Sequence, residues 1–297
     1  MQLDATELSV LADAASEAAE AAGALIASSA AGNVAVRHKI GADSLAAQVV
    51  TEVDERSQAV ILEYLQPTLG RYDLALLTEE LEDDGSRHAK DYFWCIDPLD
   101  GTLPFTQGIP GYSVSIALVA RDGRAVIGVV YDPLQRKLYR AVHGQGLAID
   151  GSSWTACSHH RQRGEALKLY CDCTFQMHPD RVAIIAELQA LAQQLGYSGL
   201  SLQSGGGGVL NACWVLEHPP ALYLKKPKIQ TGGGSLWDFA ATACLFDQAG
   251  AYARDFSGRA LDLNRSDSTY MNHRGVLYAS DADLGRQIRN IYQSGTS

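Results

Sequence analysis

The sequence is short of positive charge, and this shortage excludes one broad class of function. Lys and Arg number 24 against 34 Asp and Glu, which gives a formal net charge of -10 at pH 7. A protein that binds a nucleic-acid polymer needs clustered basic residues to displace the counterions of the phosphates, so we expect no such partner. Small anionic substrates remain open if a bound metal supplies positive charge locally.

Cysteine is also scarce, and long apolar runs are missing. The chain has six cysteines: Cys95, Cys157, Cys171, Cys173, Cys213 and Cys244. Their spacing matches neither a zinc ribbon nor a dense disulfide framework, so we expect reduced thiols, mostly in the core. The first segment is acidic and Ala-rich, without a basic leader or a continuous apolar stretch. We therefore expect neither a signal peptide nor a membrane span, and by default a cytoplasmic protein.

The length and the periodicity of apolar residues predict two packed lobes. A chain of 297 residues can build two cores, and we divide it into 1–160, an α+β lobe, and 161–297, an α/β lobe. Apolar residues at helical spacing predict a helix over 4–29. Strand-like segments at 113–120, 125–131 and 137–142, with a turn at Asp122-Gly123, predict an antiparallel meander over 112–149. The glycine runs 205–208 and 232–234 lack a following Gly-Lys-Ser/Thr, so they predict flexible or tightly turning loops.

The densest chemical signal follows the apolar run 92–96, where Asp97 and Asp100 stand three residues apart. Pro98 fixes φ between them, and Gly101 can adopt positive φ, so the chain is expected to turn sharply at the end of a strand. Such a turn can direct both carboxylates to one point.

The same turn offers further oxygen and nitrogen groups. The carbonyl of Leu99 could add a third oxygen ligand for magnesium, and the amides of Gly101 and Thr102 could hold a phosphate oxygen. The alternative is a solvated acidic loop, which is commoner when such a motif stands alone. The preceding apolar strand and the hydroxyl of Thr102 favour the functional interpretation.

Two weaker signals lie elsewhere in the chain. Glu79 and Glu80 follow an apolar run, and adjacent carboxylates at a strand end point in different directions, so one could bind a metal while the other positions water. The alternative is an acidic turn that continues through 82–84. Asp238 begins an Ala-rich helix after Trp237, a position typical of a helix-capping acid.

Taken together and in chain order, these segments resemble the inositol monophosphatase-like superfamily of lithium-sensitive, magnesium-dependent phosphatases. The matching segments are Val50-Thr51-Glu52-Val53-Asp54, Glu79-Glu80, Asp97-Pro98-Leu99-Asp100-Gly101-Thr102 and Trp237-Asp238-Phe239-Ala240. The resemblance implies an α+β fold, a layered α-β-α-β-α sandwich of the inositol monophosphatase/fructose bisphosphatase type. Its N-terminal antiparallel-sheet lobe would carry most metal ligands, and its C-terminal mixed-sheet lobe would carry Asp238 and the loops that select the substrate.

Within that superfamily the C-terminal third is most similar to the 3'(2'),5'-bisphosphate nucleotidases, through 258–264 and Tyr270-Met271-Asn272. This similarity implies release of phosphate from 3'-phosphoadenosine 5'-phosphate, a small phosphorylated metabolite. The run 205–208 and the loop 226–235 depart from the usual pattern in segments that choose the leaving group. An inositol or sugar monophosphatase therefore stays open, as does an inactive metal- or phosphate-sensing protein, and a homodimer is compatible with the resemblance.

The resemblance also implies a role for each matching residue around two or three magnesium ions. One ion would be held by Glu79, Asp97 and the Leu99 carbonyl, and a second by Asp97, Asp100 and Asp238. Glu80 and Asp54 would belong to a third, weaker site or its water shell.

The catalytic residues implied are Glu79, Thr102 and Asp54, with Glu79 and Thr102 helping to deprotonate the attacking water. The substrate-binding residues implied are Gly101, Thr102, Asp100, Asp238 and Lys225. Lys225 would contact a second phosphate, and its alternative is a solvated surface lysine.

Overall fold

The structure is a computed structural model that describes residues 2–29, 36–38, 49–156, 164–172, 175 and 177–294. The predicted lobe boundary at 160/161 lies outside these ranges, as do Cys157 and Cys173. None of the helices in the described ranges combines the length and the apolar content needed to cross a bilayer.

The first half of the chain builds a seven-stranded sheet whose strands lie in sequence order. Its strands are β3 (Ala75–Thr78), β4 (Tyr92–Asp100), β5 (Ser113–Ala120), β6 (Ala125–Asp132), β7 (Lys137–Val142), β8 (Gly146–Ile149) and β9 (Ser152–Trp154). Strands β3 and β4 are parallel, and every later neighbour in this sheet is antiparallel. The meander predicted over 112–149 is confirmed. A separate antiparallel pair is formed by β1 (Val36–His38) and β2 (Val49–Thr51).

The second half builds a five-stranded mixed sheet of order β11-β10-β12-β14-β13. Its strands are β10 (Leu167–Asp172), β11 (Leu200–Gly206), β12 (Ala221–Lys225), β13 (Tyr252–Arg254) and β14 (Val276–Ala279). Strand β10 is parallel to both β11 and β12, whereas β14 is antiparallel to its two neighbours.

Helices cover both sheets and fill the space between them. They are α1 (Ala5–Ser29), α2 (Glu52–Arg71), α3 (Thr102–Gln107), α4 (Arg181–Gln194), α5 (Gly208–Glu217), α6 (Leu236–Ala249) and α7 (Ala282–Ser294). One apolar core joins α1 and α2 to the outer face of the seven-stranded sheet, and another joins α4 and α7 to the outer face of the five-stranded sheet. The third core places α5 and α6 between the two sheets. The α-β-α-β-α sandwich is therefore confirmed.

Strand β4 shows why the acidic turn lies deep in the molecule. Phe93 and Cys95 belong to the core between the sheets, whereas Trp94 and Ile96 belong to the core under α1 and α2. Because both faces of the strand are covered, its sequence is a continuous apolar run rather than an alternating one. The strand consequently delivers Asp97 and Asp100 to the interior.

The prediction of a loop over 205–208 is wrong. Strand β11 runs through Gly206 because Cys171 and Asp172 of β10 pair with Ser204 and Gly206, and α5 begins at Gly208. The run 232–234 does turn tightly, with positive φ at all three glycines.

The four described cysteines, Cys95, Cys171, Cys213 and Cys244, are free and buried, as predicted. Burial raises the pKa of the Cys171 thiol to about 12, and it raises the pKa values of the other three as well.

Candidate active site

The turn after β4 has the sharp geometry that its sequence predicts. Gly101 has φ 82°, a left-handed conformation, and it caps α3. The side chains of Asp97 and Asp100 are almost fully buried. The amide of Leu99 donates to Asp97 Oδ1 at 3.0 Å, which fixes that carboxylate within the turn.

Asp238 lies in the first turn of α6, where the amide of Ser235 donates to its Oδ2 at 2.9 Å. Asp238 therefore caps the helix and at the same time faces Asp97 and Asp100. One carboxylate oxygen of each of these three residues lies within 4.8 Å of the others. Three hard oxygen donors at this spacing fit a divalent cation of the magnesium type.

The cluster is electrostatically unfavourable without a cation. Burial raises the pKa of Asp97 well above its ordinary value, and the negative charges of Glu79, Asp100 and Asp238 raise it further. Burial and Asp238 likewise raise the pKa of Asp100. The pKa of Asp238 is also raised by burial, although Lys225 opposes the shift. A bound cation would relieve this repulsion, because it favours the ionised form of all three groups.

Glu79, Asp54 and Glu80 were also predicted at the site, and they lie outside the group formed by Asp97, Asp100 and Asp238. Glu79 lines the same cavity, and among the neighbouring charges it raises the pKa of Asp97 the most. Asp54 is buried in α2, and its Oδ1 lies 3.4 Å from the Thr102 hydroxyl, which is 3.2 Å from the Leu99 carbonyl. Glu80 is partly buried beside Glu79, but it is not among the described residues that line the cavity.

Two features of the site were missed from the sequence. The first is the start of α5, where the amides of Gly208 and Val209 donate to Asp100 Oδ1 and Oδ2 at 3.1 and 2.9 Å. The second is Asp172 at the end of β10, which carries the same signal as Asp97, an acid directly after an apolar strand.

Asp172 organises a polar network on the cavity wall. Its Oδ2 lies 2.9 Å from Lys225 Nζ, and its Oδ1 accepts from the Tyr223 hydroxyl at 3.0 Å and from Asn211 Nδ2 at 3.1 Å. Burial lowers the pKa of Lys225, but the charges of Asp172 and Asp238 outweigh burial and leave the pKa raised. Lys225 is thus a fixed cation at the edge of the acidic cluster rather than a solvated surface lysine.

The cavity above these residues has a volume of about 800 Å³ and two chemically different sides. One side carries the acidic cluster, Gly101, Thr102 and Lys225. The other side is formed by α4 and the segment before it, with Phe175, Met177, Ala183, Ile184 and Leu188 as apolar members and His178, Asp180 and Glu187 as polar members.

Comparison with known proteins agrees with this geometry, since residues 7–294 match the inositol monophosphatase family. The chain belongs to that family. Its members are metal-dependent phosphatases that act on small phosphorylated substrates. The family match confirms the resemblance inferred from the acidic motifs.

Individual relatives carry two different names. The chain is 30% identical over 244 residues to the Nus factor SuhB of Haemophilus influenzae, covering 82% of each chain. It is 29% identical over 252 residues to inositol monophosphatase 2 of Solanum lycopersicum, covering 84% of this chain and 89% of that protein. The structure of the inositol monophosphatase from Anabaena (Nostoc) sp. PCC 7120 superposes with a TM-score of 0.69 at 23% identity, covering 96% of both chains. That structure supports the fold.

Proposed function

We propose that the protein is a magnesium-dependent phosphomonoesterase, and that its substrate is a bisphosphate nucleotide such as 3'-phosphoadenosine 5'-phosphate. The observation that carries the proposal is the convergence of Asp97, Asp100 and Asp238 at a cavity whose wall also carries apolar side chains from α4 and the segment before it.

The proposed magnesium ligands are Asp97, Asp100 and Asp238, joined by Glu79 and the Leu99 carbonyl, with Glu80 in an outer shell. When bound, magnesium neutralises charge on the phosphoryl oxygens and the leaving oxygen, and it acidifies water. Without it, buried carboxylates would repel a dianionic phosphate ester.

The chain's own residues would orient the reactants. We assign Glu79 to accept a proton from the attacking water, and the Thr102 hydroxyl to orient that water from its position between Asp54 and the Leu99 carbonyl. The amides of Gly101 and Thr102, two residues that line the cavity, would hold the phosphoryl group.

The apolar side chains of the cavity wall support a nucleotide over inositol phosphate. A nucleobase can pack against Phe175 and Met177, whereas hydroxyl groups placed against these two side chains would find no hydrogen-bond partner on them. Lys225 has three N–H donors, and the contact with Asp172 occupies one of them, so the others can reach a second phosphate.

An inositol or sugar monophosphatase is the second candidate, and the name of the tomato relative favours it. Both candidate reactions would use the same metal cluster. Only the residues of the cavity wall, which contact the rest of the substrate, distinguish a nucleotidase from an inositol or sugar monophosphatase. A third reading, an inactive metal- or phosphate-sensing protein, is disfavoured because the acidic cluster is intact.

The test is phosphate release by the full chain from 3'-phosphoadenosine 5'-phosphate, inositol 1-phosphate and fructose 1,6-bisphosphate, with magnesium and with EDTA. We expect magnesium-dependent hydrolysis that is fastest with the nucleotide, and a loss of several orders of magnitude in turnover in Asp100→Asn. Preference for inositol 1-phosphate would overturn the nucleotide assignment and keep the phosphatase. No release from any of the three esters would overturn both.

A further inference from the structure

Three glycine-containing segments meet backbone to backbone beside Asp100. The amide of Gly207 donates to the carbonyl of Gly111 at 2.7 Å. A Cβ added to Gly101 would lie 2.5 Å from Gly111 O, and one added to Gly111 would lie 2.5 Å from Gly205 O. A Cβ added to Gly207 would lie 2.3 Å from Asp100 Oδ2. Because a side chain cannot occupy such spaces, only glycine permits this approach.

The approach brings the start of α5 against the metal cluster. The first amides of a helix lack partners within the helix and carry partial positive charge. Here the amides of Gly208 and Val209 each bind one oxygen of Asp100. A carboxylate offers about four lone-pair sites on its two oxygens, so two amides leave lone pairs available to a cation.

The same contact links the two halves of the fold. Gly101 and Gly111 flank α3 and precede β5 in the seven-stranded sheet, whereas Gly205 lies in β11 of the five-stranded sheet and Gly207 connects β11 to α5. The separation of the two sheets at this point therefore determines where the amides of α5 stand relative to Asp100.

We infer that the contact among Gly101, Gly111 and the segment 205–207 is a positioning device that uses the first amides of α5 to orient Asp100 for metal binding. Gly111 and the glycines of 205–207 are positioning residues, since they set the backbone around Asp100, and Gly101 does so in addition to its proposed contact with the phosphoryl group. The inference deepens the proposed metal-dependent function and rests on it.

The test is magnesium affinity, measured by titration calorimetry on the metal-free full chain. Gly207→Ala and Gly111→Ala are expected to bind magnesium about 10- to 100-fold more weakly, the usual loss when an outer partner of a metal ligand is disturbed. Gly111→Ala is the more telling variant, because its added Cβ meets Gly205 and Gly206 rather than any carboxylate. Gly70→Ala is the matched control, since its Cβ meets nothing within 4 Å, and it should bind like the wild type.

Circular dichroism would establish that each variant is folded. In Gly111→Ala, raising the magnesium concentration should restore much of the phosphate release. Folded variants with wild-type magnesium affinity would overturn the inference while leaving the proposed function in place. Absence of magnesium binding by the wild type would overturn the proposed function, and this inference with it.

Amide hydrogen exchange tests the same idea without altering a glycine. In the metal-free wild type the amides of Gly208 and Val209 should be protected, although they lie at the start of a helix. Asp100→Ala should accelerate exchange at these two amides and leave Cys213, inside α5, protected. Unchanged exchange at both amides would show that Asp100 does not hold them.

Discussion

Replacing Asp97 by Asn should stabilise the metal-free protein while removing its response to magnesium. Asp97 is buried among Glu79, Asp100 and Asp238, and these neighbours together with burial raise its pKa. The amide side chain removes the negative charge and keeps an oxygen that can accept from the Leu99 amide. The substitution therefore relieves repulsion without removing the hydrogen bond of the turn.

The magnitude follows from the separation of the carboxylates. Two unit charges 4.8 Å apart, the upper limit in the cluster, repel by about 3 kcal/mol at an effective dielectric constant of about 20. Neutralising Asp97 removes two of the three pairwise repulsions. Proton uptake already relieves part of them in the wild type, so we expect the free energy of unfolding to rise by about 1–3 kcal/mol at pH 8.

The assay is urea unfolding of EDTA-treated protein, repeated with magnesium at about 100 times its dissociation constant, where a bound ligand adds about 2.7 kcal/mol to the wild type. Asp97→Asn should lose most of that gain. Asp132→Asn is the control, because Asp132 is also buried but lies outside the cluster and accepts from the amides of Leu134 and Gln135. An Asp97→Asn variant that is less stable than the metal-free wild type, or that keeps the full magnesium response, would refute the reasoning.

Three further outcomes are expected. Because the folded-state pKa values of Asp97 and Asp100 lie above the ordinary value of about 4, their protonation favours folding. The difference in unfolding free energy between metal-free wild type and Asp97→Asn should therefore shrink as pH falls from 8 to 5, as checked by urea unfolding at each pH. Lys225→Met should raise the KM for 3'-phosphoadenosine 5'-phosphate more than the KM for adenosine 2'-monophosphate in steady-state assays; equal increases would contradict a contact with the second phosphate. Cys95 and Cys244 should react with a thiol reagent only after denaturation, as checked by peptide mapping, because both are buried and burial raises their pKa values.

The local parts of the fold were predictable because their signals lie within short segments. The short apolar segments of 112–149 and the turn at Asp122-Gly123 indicate the meander, and Pro98 with Gly101 indicates the turn after β4. Strand β11 was missed because Ser201, Gln203 and Ser204 give it a polar character typical of a loop. It is an edge strand that is held by hydrogen bonds to β10. The residue pattern of 200–206 does not indicate this pairing, because it depends on a distant segment of the chain.

The ion pair between Asp172 and Lys225 was likewise not predictable from a short segment of sequence. Tyr170 pairs with Tyr223 across the parallel strands β10 and β12, so Asp172 and Lys225, each two residues further along, lie on the same face as that pair. The ion pair therefore depends on register between strands separated by α4, β11 and α5. The sequence analysis assigned Lys225 to substrate binding, but it did not identify Asp172 as the carboxylate that pairs with Lys225.

Each carboxylate of the cluster accepts at least one hydrogen bond from a backbone amide. The donors are Leu99 for Asp97, Gly208 and Val209 for Asp100, and Ser235 for Asp238. Backbone donors are fixed once the strand, helix and turn have formed, so the ligands are already oriented before a cation arrives, and binding needs little reorganisation. A change that shifts the backbone at Gly207 should therefore disturb the metal site as much as the loss of a ligand's hydrogen bond.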